Sequence, residues 1–128
     1  MTTCLVVDDS AVIRKVAGLI LQRMGLAVTE AEEAGRALAV CEARMPDLAI
    51  VDSLMPGTDG FELVRALRAL PGGDRAKIVM TIIESDIATL ARLRQAGADA
   101  CLMKPFTPAM MREKLEELGF LAQSPAAA

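Results

Sequence analysis

The sequence predicts an α/β fold: a doubly wound parallel sheet of five strands in the order 2-1-3-4-5, carrying five helices. Three observations predict it. Short apolar runs are continuous rather than alternating, as expected of strands buried on both faces. Each run is followed by a stretch with helical spacing of its apolar residues. The first, third and fifth runs end in charged residues, Asp8-Asp9, Asp52 and Lys104. In an open sheet of this kind the ligand crevice lies outside the carboxyl ends of the strands, where the strand order reverses.

The elements follow in order. The run Cys4–Val7 leads into a stripe of Ile13, Ala17, Ile20 and Met24, with Ser10 as N-cap and Gly25 as stop. Ala27–Thr29 precedes Ala34, Ala37, Leu38, Cys41 and Met45, closed by Pro46. Leu48–Val51 opens onto a loop containing Met55-Pro56-Gly57 and Asp59-Gly60; a third stripe, Leu63, Val64, Leu67 and Leu70, then ends at Pro71-Gly72-Gly73. Ile78–Ile82 precedes Ile87, Leu90 and Ala91, ended by Gly97. Ala100–Met103 precedes Met111, Leu115 and Leu118, a helix starting near Thr107-Pro108 and ending at Gly119. Right-handed crossovers then fix the strand order. One domain over residues 1–121 accounts for the whole pattern, and 122–128, small and polar-poor, reads as a frayed tail.

Composition narrows the function. A chain of 128 residues, 53% apolar, can build one domain with its own core. A net charge of −3 with scattered basic residues gives no field for DNA or an anionic membrane. No apolar run approaches the ~20 residues that cross a bilayer. Histidine is absent, which excludes His-based acid–base catalysis, His metal ligands and a phosphohistidine carrier. Tryptophan and tyrosine are absent too, so aromatic stacking on a ligand is scarce. Cys4, Cys41 and Cys101 are odd in number, fit no metal knuckle and sit in apolar settings. They read as buried reduced thiols of a reducing compartment. Met1-Thr2-Thr3 offers no basic leader, so the expectation is a cytoplasmic protein. The eight methionines read as core filler.

The chemistry lies in the acids. Two carboxylates about 4 Å apart repel by roughly 4 kcal/mol at an effective dielectric near 20, so Asp8, Asp9 and Asp52 in one crevice call for a counter-charge. An oxygen-only ligand set suits Mg²⁺, which takes one or two carboxylates and keeps open positions for water or a phosphate oxygen. Lys104 offers a compact second cation for the same phosphate. With neither a Ser–His nor a Cys–His pair available, the best nucleophile is a carboxylate, which can form an acyl phosphate. Phosphoryl transfer asks for positioning and charge neutralisation more than for protein acid–base chemistry. Taken singly, each residue has a plainer role: an aspartate after a strand commonly caps a helix or sits in a turn, and Lys104-Pro105 reads as a solvated strand end. The set of four at three strand ends is what carries the reading.

Val6-Val7-Asp8-Asp9-Ser10, Val51-Asp52 with Met55-Pro56 and Asp59-Gly60, Gly97-Ala98-Asp99, and Lys104-Pro105-Phe106 together resemble the response-regulator receiver domain, in its stand-alone CheY-like kind, from about Thr3 to Leu118. The resemblance implies a flavodoxin/CheY-like fold and a single-domain response regulator of a two-component phosphorelay. It implies that Asp52 is the phospho-acceptor, that Asp9 and Asp52 ligate Mg²⁺ (or Mn²⁺) directly, and that Asp8 does so through water. Leu54 would give its backbone carbonyl to the metal, and Lys104 would pair with the phosphoryl group or with Asp52. A cis Lys104–Pro105 bond would aim that lysine. The implied donor is a sensor histidine kinase, a phosphotransfer protein or a small acyl phosphate; the implied output is docking on a protein target, through the surface of helix 4, strand 5 and helix 5, or phosphate relay. Neither DNA binding nor membrane insertion is implied. The chain would be no enzyme beyond its own aspartyl phosphorylation and dephosphorylation.

Two positions depart from the family pattern. Counting back from Gly97-Ala98, the switch Ser/Thr position falls on Ile82, which has no hydroxyl, rather than on Thr81. A slip of one residue turns a strand side chain to the other face. The switch aromatic falls on Cys101. The reading is intact phosphorylation chemistry without the usual threonine–aromatic relay. A phosphorylation-independent interaction module is the alternative, favoured by the missing relay and opposed by the complete acid site. A flavodoxin-like nucleotide or flavin binder would need a phosphate loop where Asp8-Asp9-Ser10-Ala11 stands. An aspartate-nucleophile phosphatase would want a second Asp two residues after Asp52, where Leu54 stands.

Overall fold

The computed structural model describes residues 1–121 apart from Pro56 and Thr58. The turn proline of the Met55-Pro56 motif and the segment read as a frayed tail lie outside the described residues. Among the described residues ten elements alternate: β1 (Thr3–Val7), α1 (Ala11–Arg23), β2 (Ala27–Ala31), α2 (Ala34–Ala43), β3 (Leu48–Asp52), α3 (Gly60–Ala69), β4 (Lys77–Ile82), α4 (Ile87–Ala96), β5 (Ala100–Met103) and α5 (Pro108–Glu117). The sheet order is β2-β1-β3-β4-β5 with every pairing parallel, so the chain has the expected doubly wound, CheY-like fold.

Strand pleating sorts the core into two layers. Leu5, Val7, Ala49, Val51, Ile78, Met80 and Ile82 face one way, where Ala37 and Cys41 of α2, Phe61, Leu63, Val64 and Leu67 of α3, and Leu93 and Ala96 of α4 meet them. Cys4, Val6, Leu48, Ile50, Val79 and Leu102 face the other way, onto Ala17, Ile20 and Leu21 of α1 and Met111 and Leu115 of α5. Because both faces are covered, the strands carry continuous apolar runs instead of alternating ones.

The helices start and stop as local chemistry directs. The hydroxyl of Ser10 accepts from the Ile13 amide, the Asp86 carboxylate from Thr89 and the Thr107 hydroxyl from Met110, each satisfying an amide that has no partner within its helix. Gly97 closes α4 at φ +103°, a left-handed conformation that a side chain would strain.

The inward face of α4 differs from the expected stripe. Ile87 is 88% exposed and Leu90 39%, and Ala91 is exposed with them, while Leu93 and Ala96 are buried. This helix carries two apolar faces, Ile87-Leu90-Ala91 and Leu93-Ala96. Only the packing partner, here the layer containing α3, decides which one goes inside.

Candidate functional site

The site begins with strand ends. β3 is buried along its whole length, Asp52 included at 4% exposure. Its next residue, Ser53, donates its amide to the Thr81 carbonyl at 3.0 Å and accepts from the Gly60 amide at 3.2 Å. α3 therefore starts directly against the end of β3. Residue 60 must be glycine, since a Cβ there would overlap the carbonyl oxygen of Asp52. The side chain of Asp59 caps α3 through the Glu62 amide at 2.8 Å and pairs with Arg92 of α4 at 3.0 Å. The Arg92 guanidinium lies over the Phe61 ring, 4.1 Å from its centre. The loop after Asp52 is thus tied down at its far end.

β1 delivers the other acids. The Asp8 amide continues the ladder to Ala31 at 3.2 Å, and its carbonyl accepts from Arg14 at 2.8 Å. The Ser10 amide donates to Asp8 Oδ1 at 2.9 Å, which fixes that carboxylate. Asp8 is 3% exposed; Asp9 faces solvent. One oxygen each from Asp8, Asp9 and Asp52 lies within 4.8 Å of the others.

Lys104 joins the cluster from the far edge of the sheet. The Lys104–Pro105 peptide is cis. The lysine Nζ sits 2.8 Å from Asp8 Oδ2 and 3.1 Å from Asp52 Oδ1. The Leu54 amide also donates to Asp52 Oδ1, at 3.3 Å. Among the described residues no donor bonds Asp52 Oδ2, so one carboxylate oxygen is held and the other carries no hydrogen bond.

The electrostatics are those of an acid pair short of positive charge. Burial, then the neighbouring charge of Asp8, pushes the Asp52 carboxyl above the usual aspartate range against the pull of Lys104 and the Leu54 amide. Burial works against the charge on Lys104, but its bonds to Asp8 and Asp52 outweigh this and raise its pKa. One ammonium against three carboxylates leaves room for a divalent cation, and an all-oxygen donor set of this size fits Mg²⁺.

The expected switch positions lie as follows. Ile82 is 1% exposed in the layer with Leu93 and Phe61. Cys101 is half-buried at the edge of that layer. Thr81 pairs in register with Asp52 and is 2% exposed. Sequence reasoning missed Arg14, whose guanidinium holds the Asp8 carbonyl and pairs with Glu30 at 3.2 Å. Its place one turn after the Ser10 cap was the available signal. The thiols of Cys4 and Cys41 are buried, and burial pushes the Cys41 thiol up to about 11 and that of Cys4 higher still. Neither is poised for thiolate chemistry. No helix among the described residues is long and apolar enough to cross a membrane.

Comparison with known proteins places this geometry. The family model for the response regulator receiver domain matches residues 4–116. The chemotaxis protein CheY of Pseudomonas aeruginosa is 30% identical over 89% of this chain and 93% of its own length. The structure of the chemotaxis protein CheY4 of Vibrio cholerae superposes with a TM-score of 0.88 at 32% identity, covering 91% of this chain and 98% of that one. The receiver domain of a sensor histidine kinase from Pseudomonas aeruginosa has a TM-score of 0.83 at 27% identity over 91% of this chain and 95% of its own, and carries a magnesium ion coordinated in its active-site cleft. The chain spans only 43% and 50% of two longer transcriptional regulatory proteins that it also matches.

Proposed function

The chain belongs to the response regulator receiver domain family, a signalling module of two-component phosphorelays, and from that premise we propose that Asp52 is its phospho-acceptor. The observation that carries this reading is the asymmetry of the Asp52 carboxylate. Oδ1 is held by Lys104 and the Leu54 amide, while no donor among the described residues bonds Oδ2, and the carboxylate stands in the cluster with Asp8 and Asp9. Oδ2 attacks phosphorus, a P–O bond forms, and the bond to the donor's leaving group breaks as that group departs with its electron pair. The donor is a sensor histidine kinase, a phosphotransfer protein or a small acyl phosphate. Asp9 and Asp52 would hold Mg²⁺ or Mn²⁺ directly, Asp8 through water and Leu54 by its carbonyl. When bound, the cation neutralises charge on the phosphoryl oxygens. Lys104, kept cationic by its two carboxylates, adds the second positive charge. The module is no enzyme beyond making and losing its own acyl phosphate.

Output then depends on docking. Ile87 and Leu90 stand exposed on α4 and supply an apolar face for a protein target. The free, mostly buried thiols support a cytoplasmic setting. Since Ile82 and Cys101 lack the hydroxyl and the ring of the usual relay, the phosphoryl group is held by Lys104, the cation and backbone amides alone. Ile82→Thr should then change phosphoprotein lifetime or target affinity, and no change in either counts against this. The same two residues favour the second reading, a phosphorylation-independent interaction module.

Intact-mass measurement after incubation with acetyl phosphate or phosphoramidate and Mg²⁺ decides between them. A phosphoryl adduct on the wild type that is missing from Asp52→Asn supports the first reading. No adduct and no Mg²⁺ affinity would leave the second.

A further inference from the structure

Thr81 carries an anomaly next to the acid crevice. It is 2% exposed, and its Oγ1 is the one buried side-chain polar atom among the described residues without a hydrogen-bond partner. Buried hydroxyls are nearly always paired, so an orphan invites a functional explanation.

Its surroundings supply one. Val6, Ile50, Val79 and Leu102 lie on the sheet face that meets α1 and α5. Side chains alternate along a strand, so two residues further on, Asp8, Asp52, Thr81 and Lys104 share that same face. Thr81 is the register partner of Asp52 on one side and of Leu102 on the other. Lys104 leaves the end of β5, yet its Nζ reaches Asp52 at the end of β3 and Asp8 just after β1. Adjacent strands are about 4.8 Å apart, so the lysine stem must pass over β4 to arrive there. Its ammonium comes down to the level of Asp52, which is also the level of Thr81.

An ammonium has three protons, and two of those on Lys104 are committed, to Asp8 and Asp52. Asp8 Oδ1 already accepts from the Ser10 amide and Oδ2 from Lys104, so the water shell of a cation competes with the lysine for this carboxylate. We propose that Thr81 is a positioning residue of the crevice: its orphan hydroxyl is the acceptor that takes up a Lys104 proton when Asp8 turns from the lysine to a divalent cation. The hydroxyl is unsatisfied in the cation-free arrangement and satisfied in the loaded one, which biases Lys104 toward Asp52. Ile82 cannot contribute here, because it points into the opposite layer. The inference rests on the phosphorylation reading above.

The test compares wild type, Thr81→Val and Thr81→Ser by calorimetric Mg²⁺ titration, by thermal unfolding without Mg²⁺ and by the ¹⁵Nζ resonance of Lys104. Thr81→Val keeps the shape and removes the orphan. It should unfold about 2–5 °C higher without Mg²⁺, bind Mg²⁺ about three- to ten-fold more weakly and lose the Mg²⁺-induced Lys104 shift. Thr81→Ser should match the wild type in affinity and in the shift. Wild-type Mg²⁺ affinity in Thr81→Val, or a Thr81→Ser as weak as Thr81→Val, overturns the role of Thr81 while leaving the site intact. Should Thr81→Val fold poorly, Thr81→Ala gives the same comparison of affinity. A wild type that binds no Mg²⁺ and takes no phosphoryl group overturns the reading of the site as well.

Discussion

Asp52 shows how the surroundings of a single side chain set its titration. Burial and the charge of Asp8 raise its pKa, so the folded chain holds that proton more tightly than the unfolded chain does. Stability then falls as pH rises from the ordinary aspartate range through the raised folded value, and above that value the deficit is constant. Asp52→Asn removes the charge. Without divalent cation it should be more stable than wild type at pH 7, and the difference should shrink as the pH is lowered into the aspartate range. Urea unfolding at several pH values measures this; a difference that persists unchanged at acid pH would contradict the electrostatic cause. Lys104 has the opposite sign. Its raised pKa contributes stability throughout the neutral range, lost only as pH climbs through the folded lysine value.

Two elements meet the crevice with different tolerances. α3 begins where Gly60 lies against the Asp52 carbonyl, so Gly60→Ala must push the helix start away from β3. A loss of about 1–3 kcal/mol is expected, with a lower yield of phosphoryl adduct because the backbone that aims Asp52 moves. Intact mass and thermal unfolding read both effects. α4 carries one buried and one exposed apolar face. Leu93→Ala, on the buried face, should lose about 2–4 kcal/mol. Ile87→Lys, at 88% exposure, should change stability by less than about 0.5 kcal/mol while weakening any target that docks on this face. Chemical denaturation of the two variants distinguishes them.

For the molecule as a whole, a cation held by the acidic cluster would link folding to binding. A cation that binds only the folded chain stabilises it by about 2.7 kcal/mol at a hundred times its Kd. Raising Mg²⁺ should therefore raise the unfolding temperature of the wild type. The rise should be abolished or sharply reduced in Asp9→Ala, because Asp9 is the exposed member of the cluster and its loss leaves the core intact. A rise of equal size in Asp9→Ala would place the binding elsewhere.

The order of strands, the two-sided burial of the sheet, and the convergence of Asp8, Asp9 and Asp52 were all legible in the amino-acid sequence. They depend on local periodicity and on the rule that places a crevice at the carboxyl ends of parallel strands. Helix caps such as Ser10 were legible for the same reason, since a cap bonds an amide only three residues away. The inward face of α4 was not, because two apolar faces compete on one short helix and the choice belongs to its neighbours. The pairing of Lys104 with Asp52 was implied by the family resemblance, but its bond to Asp8, across 96 residues of chain, was not. The stranded hydroxyl of Thr81 was equally hidden. Its standing beside Asp52 follows from strand register, and its lack of a partner follows from where the surrounding side chains lie in space. Sequence set the periodic and local features, which are properties of the chain within a few residues. Tertiary structure decided the pairings between distant side chains, because those depend on distances in space that no spacing along the chain encodes.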